Sequence, residues 1–159
     1  MSFDDWMLAL HVLSAFLIVA GLVLFWLLVV AVRRADTADA TLRFGPLTRL
    51  ADAAIGVGMG GTIALGIWLA FSVGGYDIWD PWIVAAIVLW LVAAAIGRRT
   101  SSAYGEGVRK AQELRGAGRT DADAELLALN RAPRGVVLQA LASLVVLLIL
   151  ADMIWKPGA

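Results

Sequence analysis

Residues 6–34 read WMLALHVLSAFLIVAGLVLFWLLVVAVRR. Residues 6–32 carry no formally charged side chain, and a pair of arginines follows them. As a helix at ~1.5 Å per residue this run extends about 40 Å, whereas the hydrocarbon core of a bilayer is only about 30 Å thick. The stretch therefore predicts a membrane-spanning helix that is tilted or overhangs the core.

The rest of the chain is also strongly apolar. Its 159 residues are 61% hydrophobic with a mean hydropathy of +0.83, whereas soluble domains contain about 45–50% apolar residues. The apolar residues fall in four blocks that charged loops separate. We therefore expect an all-α protein with a single integral membrane domain over residues 1–159. Its four-helix bundle is predicted to have transmembrane helices at about 6–32, 50–73, 81–97 and 135–154.

Charge and cysteine content exclude several classes of function. Thirteen basic and thirteen acidic residues cancel, so the net charge gives no reason to expect a nucleic acid partner. The lipid bilayer is the partner that the composition indicates. The chain has no cysteine, which excludes disulfides, thiolate metal sites and thiol catalysis.

Proline and glycine mark the predicted helix ends. Pro46 lies where the second helix can begin, because proline is tolerated in a first helical turn. The glycines at 74 and 75 are predicted to end that helix. Asp80 followed by Pro81 is typical of the start of a helix, here the third.

The longest polar segment, residues 98–134, separates the third and fourth transmembrane helices. Its pattern predicts that the third helix continues beyond the membrane to about Gly116. Thr120 and Asp121 are expected to cap a short second helix that runs through Asn130. We interpret the segment as a cytoplasmic helical hairpin that packs on the end of the bundle. The alternative is a surface that binds lipid headgroups or a partner protein.

The basic residues predict the orientation. Four lie in the first loop and eight in segment 98–134, so twelve of the thirteen lie on one side of the predicted bundle. The positive-inside rule then gives an N-out, C-out protein of the inner (cytoplasmic) membrane, with several passes. Four tryptophans fall at the opposite, outer interface, as an aromatic belt should: Trp6, Trp79, Trp82 and Trp155.

The second helix contains the run GVGMGG, residues 56–61. It matches a dinucleotide-binding fingerprint formally, but that motif needs a strand before it and a βαβ unit around it. Small residues four apart instead let helix backbones approach closely in a membrane. Gly56 and Gly60 are therefore predicted to form a packing face, with Gly58 and Gly66 on neighbouring faces and this helix central in the bundle. The alternative is that the glycines leave room for a flat ligand.

His11 is the only histidine, and it lies within the first apolar run. Ionisable residues inside a membrane are costly and tend to mark a site. The outer end of the fourth helix supplies Asp152, Met153 and Lys156 at a similar predicted depth. One interpretation is a hydrogen bond or ion pair between His11 and Asp152 that joins the helices. The other is that His11 is an axial metal ligand oriented by Asp152, with Lys156 facing an anionic group.

The inventory of side chains excludes other chemistry. With one histidine and no cysteine, a zinc or multi-histidine copper cage from one chain is not expected. No charged residue lies near the middle of any predicted span, which argues against a proton or ion path. Copper handling through His11, Met7 and Met153 is the weakest alternative.

The first-helix pattern W-x4-HV-x8-GL, which begins at Trp6 and has Arg33 at its inner end, resembles that of small bacterial four-helix membrane proteins. One group of these is a family of predicted membrane proteins of unknown function. More distant ones are the HemJ-type protoporphyrinogen oxidases and CopD-like copper-resistance domains. Arg131 before the fourth helix and the Lys156–Pro157 terminus are similar to the HemJ type.

The resemblance implies that His11 is a haem b ligand and that Lys156 is the functional terminal lysine. HemJ-type chains carry further histidines that are absent here, so haem binding is implied more strongly than porphyrinogen oxidation. The other axial ligand would be Met153, Lys156 or the His11 of a second protomer, or that side would be vacant. A non-enzymatic subunit of a homo-oligomer or a larger membrane complex is the alternative function.

Overall fold

The computed structural model describes residues 2–72, 77–119 and 121–157, and no strand occurs among them. The helices are α1 (Phe3–Arg33), α2 (Ala38–Leu42), α3 (Gly45–Ser72), α4 (Pro81–Gly116), α5 (Ala124–Arg131) and α6 (Pro133–Trp155). The all-α prediction is confirmed. Four segments are long and apolar enough to cross a membrane: Phe3–Arg33, Ala38–Ser72, Pro81–Gly116 and Ala124–Trp155. These features indicate a multi-pass membrane protein.

The four long helices form two pairs, because α1 packs mainly on α3 and α4 packs mainly on α6. Glycines bring the first pair close together. A β-carbon at Gly58 would lie 2.7 Å from the backbone oxygen of Ser14, and one at Gly21 would lie 2.5 Å from Ile55. Any larger residue at these positions would push the backbones apart.

The predicted Gly56 and Gly60 packing face is wrong as a contact within this chain. A β-carbon at either position would meet no atom within 4 Å. The glycines of α3 that pack against α1 are Gly58 and Gly66, the two predicted for neighbouring faces, together with Gly61. The prediction failed because small-residue spacing occurs on more than one face of α3, and spacing alone does not identify the face that meets a neighbouring helix.

The predicted helix boundaries need several corrections. Helix α3 begins at Gly45, with Pro46 in its first turn as expected, and α4 begins at Pro81. The predicted polar loop 33–49 contains the short helix α2. Helix α4 continues past residue 97 and ends at Gly116, as the polar segment predicted. The predicted helix end at glycines 74 and 75 lies outside the described residues.

The segment after α4 contains the short helix α5, which packs on α4 and α2. Leu126 of α5 is fully buried and packs with Ala111 and Leu114 of α4 and with Ala38 of α2. The cap of α5 is Asp123, whose carboxylate accepts from the backbone N–H groups of Glu125 and Leu126, and not the predicted Asp121. Thr120, the other predicted cap residue, lies outside the described residues.

Candidate functional site

The two ends of the bundle bring different residues together. At one end the Phe3 and Trp68 rings lie 5.8 Å apart, so the start of α1 meets the end of α3. The Lys156 ammonium lies 5.2 Å from the centroid of the Trp82 ring, which joins the end of α6 to the start of α4. We call this the His11 end. The opposite end, where Arg33 donates to the carbonyl of Arg131, is the Arg33 end.

A cavity of about 600 Å³ lies at the His11 end, between the α1–α3 pair and the α4–α6 pair. All four long helices contribute to its mostly apolar lining. We call it the His11 cavity. Its lining includes His11, Met59, Gly66, Trp90, Met153 and Lys156. Ligand sites of small molecules have this character, an apolar volume of about 300–1,000 Å³ with a few convergent polar groups.

The His11 imidazole lies against α3. A β-carbon at Gly66 would be 3.2 Å from its Cε1 atom, so glycine leaves the space that the ring occupies. The ring also lies close to the backbone of Thr62, one turn away. Its Nδ1 atom is buried and has no hydrogen-bond partner in the described part of the chain. A buried polar atom without a partner costs about 1–3 kcal/mol, so this nitrogen needs an explanation.

The predicted hydrogen bond or ion pair between His11 and Asp152 is wrong. Asp152 is buried, its Oδ2 atom has no partner among the described residues, and it is not part of the cavity lining. The hydrogen bonds between α1 and α6 lie further from the His11 end, where Trp26 donates to Ser143 at 3.0 Å. The cavity occupies the space between the helices at the level of His11.

Lys156 and Met153 both reach the cavity, as does His11, so the structure brings together three of the four predicted ligand-binding residues. Lys156 caps α6 in a left-handed conformation with φ 42°, and its backbone N–H donates to the carbonyl of Asp152 at 2.8 Å. This turn accompanies the placement of the lysine side chain over the Trp82 ring. A cation over a tryptophan face is favourable, more so away from water.

Two residues of the cavity were missed by sequence reasoning. Trp90 donates from its indole nitrogen to the carbonyl of Met59 at 3.1 Å, which joins α4 to α3 across the space between the pairs. Trp82 was assigned only to the outer aromatic belt, but it is buried and lines the cavity. For Trp90 the sequence did contain a signal. A tryptophan in the middle of an apolar span has an indole N–H that needs an acceptor when it is buried, which indicates a contact with another helix.

The cavity does not resemble a multi-ligand metal cage. Within the described residues no three histidine, cysteine, aspartate or glutamate side chains are close enough to hold a metal ion. Met7, proposed for copper, is absent from the lining, whereas Met59 is present.

Comparisons with known proteins leave the family open: no family model, curated protein or solved structure matches this chain. The resemblance to the HemJ-type and CopD-like proteins therefore stays a prediction. It depends on the first-helix pattern that begins at Trp6, on Arg131 and on the Lys156–Pro157 terminus.

Proposed function

We propose that this protein binds haem b in the His11 cavity, with His11 as an axial ligand. The observation that carries the proposal is the convergence of His11, Met153 and Lys156 on one apolar cavity of about 600 Å³. A macrocycle that is flat and mostly apolar suits such a volume, and a single imidazole suffices to hold its iron.

The residues present fit this group. The Nδ1 atom of His11 has no hydrogen-bond partner among the described residues, and the ring edge that carries it lies against Gly66. The backbone of Thr62 lies close to the ring and would accept a hydrogen bond from the ring nitrogen that does not hold the metal. Trp82 and Trp90 supply aromatic surface for the macrocycle. Met153 is the candidate for the second axial position.

Lys156 is the candidate partner for the carboxylates that haem carries. Its ammonium is positioned at the cavity by the left-handed turn at the end of α6. Asp4 and Asp5 also line the cavity, but Asp5 is held in the capping box of α1, where it accepts from the backbone of Ser2 at 2.6 Å. When bound, haem would supply redox or porphyrin chemistry. The proposal concerns binding and assigns no reaction.

The test is the visible spectrum of the detergent-purified protein, expressed with a haem precursor and then titrated with haem. We expect a Soret band in the wild type and its loss or strong weakening in His11→Ala. Val12→Ala is the matched control, because Val12 is the next residue of α1 and is exposed. A wild type that neither contains haem nor acquires it on titration would end the proposal.

A specific observation favours a second candidate, a subunit of a homo-oligomer or a larger membrane complex. Gly56 and Gly60 leave an open small-residue strip on α3, and such strips let a further helix approach closely. Gly60→Leu should then alter the oligomer profile in mild detergent without changing the stability of the monomer. An unchanged oligomer profile would indicate that the Gly56 and Gly60 face of α3 contacts lipid and not another helix.

The proposed orientation places both termini outside and the hairpin in the cytoplasm, in the inner membrane. The support is that twelve of the thirteen basic residues lie in residues 33–49 and 98–134, the two connections on one side of the four spans. Cysteines introduced at Ser2 and Ser102 should label from opposite sides of the membrane. Labelling from the same side would contradict the four-span arrangement.

A further inference from the structure

Three glycines of α3 meet the same side of α1. A β-carbon at Gly58 would lie 2.7 Å from the backbone oxygen of Ser14, and one at Gly61 would lie 2.9 Å from the β-carbon of Ser14. The third glycine, Gly66, meets His11, which lies about one turn before Ser14 on α1. The close approach at Ser14 therefore fixes the level at which the His11 imidazole reaches α3.

The contact at Gly66 differs in kind from the contact at Gly58. At Gly58 an added β-carbon would collide with the backbone of α1, so this glycine is needed for the two helices to approach each other. At Gly66 an added β-carbon would meet only the ring of His11. The missing side chain of Gly66 thus gives space to the imidazole and not to the backbone of α1.

One edge of the imidazole faces Gly66. The position of a Gly66 β-carbon is 3.2 Å from Cε1 and 3.6 Å from Nδ1 of His11, and the other ring atoms are more than 4 Å from it. The Nδ1 atom is itself buried. His11 as a whole is only partly buried, and it lines the His11 cavity. The edge that carries Nε2, the second ring nitrogen, is therefore the one left to face the cavity.

The backbone of Thr62 lies close to the same ring. In an α-helix the carbonyl of Thr62 points along the axis towards the N–H of Gly66, four residues later. A polar backbone group thus lies on the α3 side of the imidazole. Histidines that bind metals commonly direct one nitrogen towards such a carbonyl and the other towards the metal.

Helix α3 is held from two sides near this level. Gly58 packs against the backbone of α1, and Trp90 of α4 donates to the carbonyl of Met59 at 3.1 Å. The imidazole, in contrast, borders a cavity of about 600 Å³. A side chain added at Gly66 should therefore displace the ring of His11 and not the helix behind it.

We propose that Gly66 is a positioning residue for His11. It lets the Nδ1 edge of the imidazole lie against α3 and so directs Nε2 into the His11 cavity. The inference rests on the proposed function for the identity of the ligand, and it deepens that function by naming Nε2 as the atom that would hold the iron.

The first test uses the full-length, detergent-purified protein without a porphyrin. His11 is the only histidine, so labelling with ¹⁵N-histidine gives NMR resonances from a single imidazole. Gly66→Ala should shift both ring nitrogens, because its β-carbon would lie 3.2 Å from Cε1. Gly60→Ala is the matched control on the same helix, since its β-carbon would meet nothing within 4 Å. Unchanged resonances in Gly66→Ala, or equal shifts in the two variants, would overturn the positioning role.

The second test adds zinc protoporphyrin, a diamagnetic porphyrin whose metal takes one axial imidazole. In the wild type the Nε2 resonance should shift more than that of Nδ1. Gly66→Ala should weaken porphyrin binding about tenfold, and Gly60→Ala should weaken it less than about twofold. A larger shift of Nδ1 would overturn the choice of ligand atom, and equal affinities of the two variants would overturn the role of Gly66.

The two tests separate this inference from the proposed function. A wild type that binds neither zinc protoporphyrin nor haem ends the proposed function. The positioning of the imidazole by Gly66 is then decided by the resonances of the porphyrin-free protein alone.

Discussion

The two ends of the bundle differ in how their buried polar groups are satisfied. At the Arg33 end the buried side chain of Asn130 donates to the hydroxyl of Thr41 at 3.0 Å and to the carbonyl of Ala35 at 3.4 Å. Arg131 pairs with Asp36 at 2.8 Å. At the His11 end, His11 and Asp152 each bury an atom without a partner among the described residues. The buried polar groups are paired at the first end, and two of them have no partner among the described residues at the second.

The difference follows from what connects the helices. At the Arg33 end α2 and α5 pack against α4, and Arg33 donates to the carbonyl of Arg131 at 2.8 Å. The His11 end has no such additional helix in the described chain, and the pairs are separated there by the His11 cavity. A fully satisfied polar network makes a structure rigid, whereas buried polar groups without partners are expected at functional or strained places.

The largest expected effect on stability is at Leu126, which is fully buried between α5, α4 and α2. Leu126→Ala should lower the free energy of unfolding by about 2–5 kcal/mol, because it leaves a cavity in the cluster that closes the Arg33 end. The measurement is reversible unfolding in mixed micelles, with Leu50→Ala as the control because Leu50 is 58% exposed. Equal effects at the two positions would mean that the hairpin adds no stability to the bundle.

The next largest effect on the free energy of unfolding compares the two ends directly, with one substitution at each. Asn130→Ala should cost about 1–3 kcal/mol, because it leaves the Thr41 hydroxyl and the Ala35 carbonyl without their buried partner. His11→Ala in the ligand-free protein should cost less than Asn130→Ala, since the described chain gives its Nδ1 no partner to lose. Both free energies can be measured under the conditions used for Leu126→Ala. The opposite order would show that the His11 side chain contributes more to the stability of the ligand-free protein than that of Asn130.

Much of the fold could be predicted from the sequence, because long uncharged runs have few stable forms in a membrane other than helices. The pairing of the helices could not. Lipid is as apolar as leucine, so the hydrophobic pattern does not distinguish a lipid-facing side from a protein-facing one. That is why the spacing of Gly56 and Gly60 predicted a contact within the chain that the structure does not contain, and why the space between the pairs was not predicted.

The candidate site shows the same limit. Residue rise gives depth along a helix, so His11, Met153 and Lys156 could be predicted to lie at a similar depth. The cavity that they share was not predicted. Asp152 has nearly the depth of Met153 but differs from it by about 100° around the helix. The direction in which each side chain of α6 points depends on how α6 is rotated against α4. The sequence contains no residue that determines that rotation.

The smallest effect concerns the pH dependence of the Arg33 end. The Asp123 carboxylate accepts from the Leu126 and Glu125 backbone N–H groups, each at 3.1 Å. These bonds, with that of Leu126 first, hold the pKa of Asp123 below its ordinary value of 3.8, and Lys110 and Arg119 act in the same direction. The lowered pKa means that the folded state prefers the ionised carboxylate. Its stabilisation is therefore present above the ordinary pKa and is lost as the pH falls through the lower, folded value.

Asp123→Asn tests this contribution, because asparagine can still cap α5 but does not titrate. The difference in unfolding free energy between wild type and variant should be largest near neutral pH and should shrink as the pH falls below 3.8. Asp121→Asn is the matched control, since Asp121 is exposed two residues earlier and does not cap the helix. A difference that stays constant with pH would assign the effect of Asp123 to cap geometry and not to its charge. A difference that grows on acidification would contradict the direction of the pKa shift.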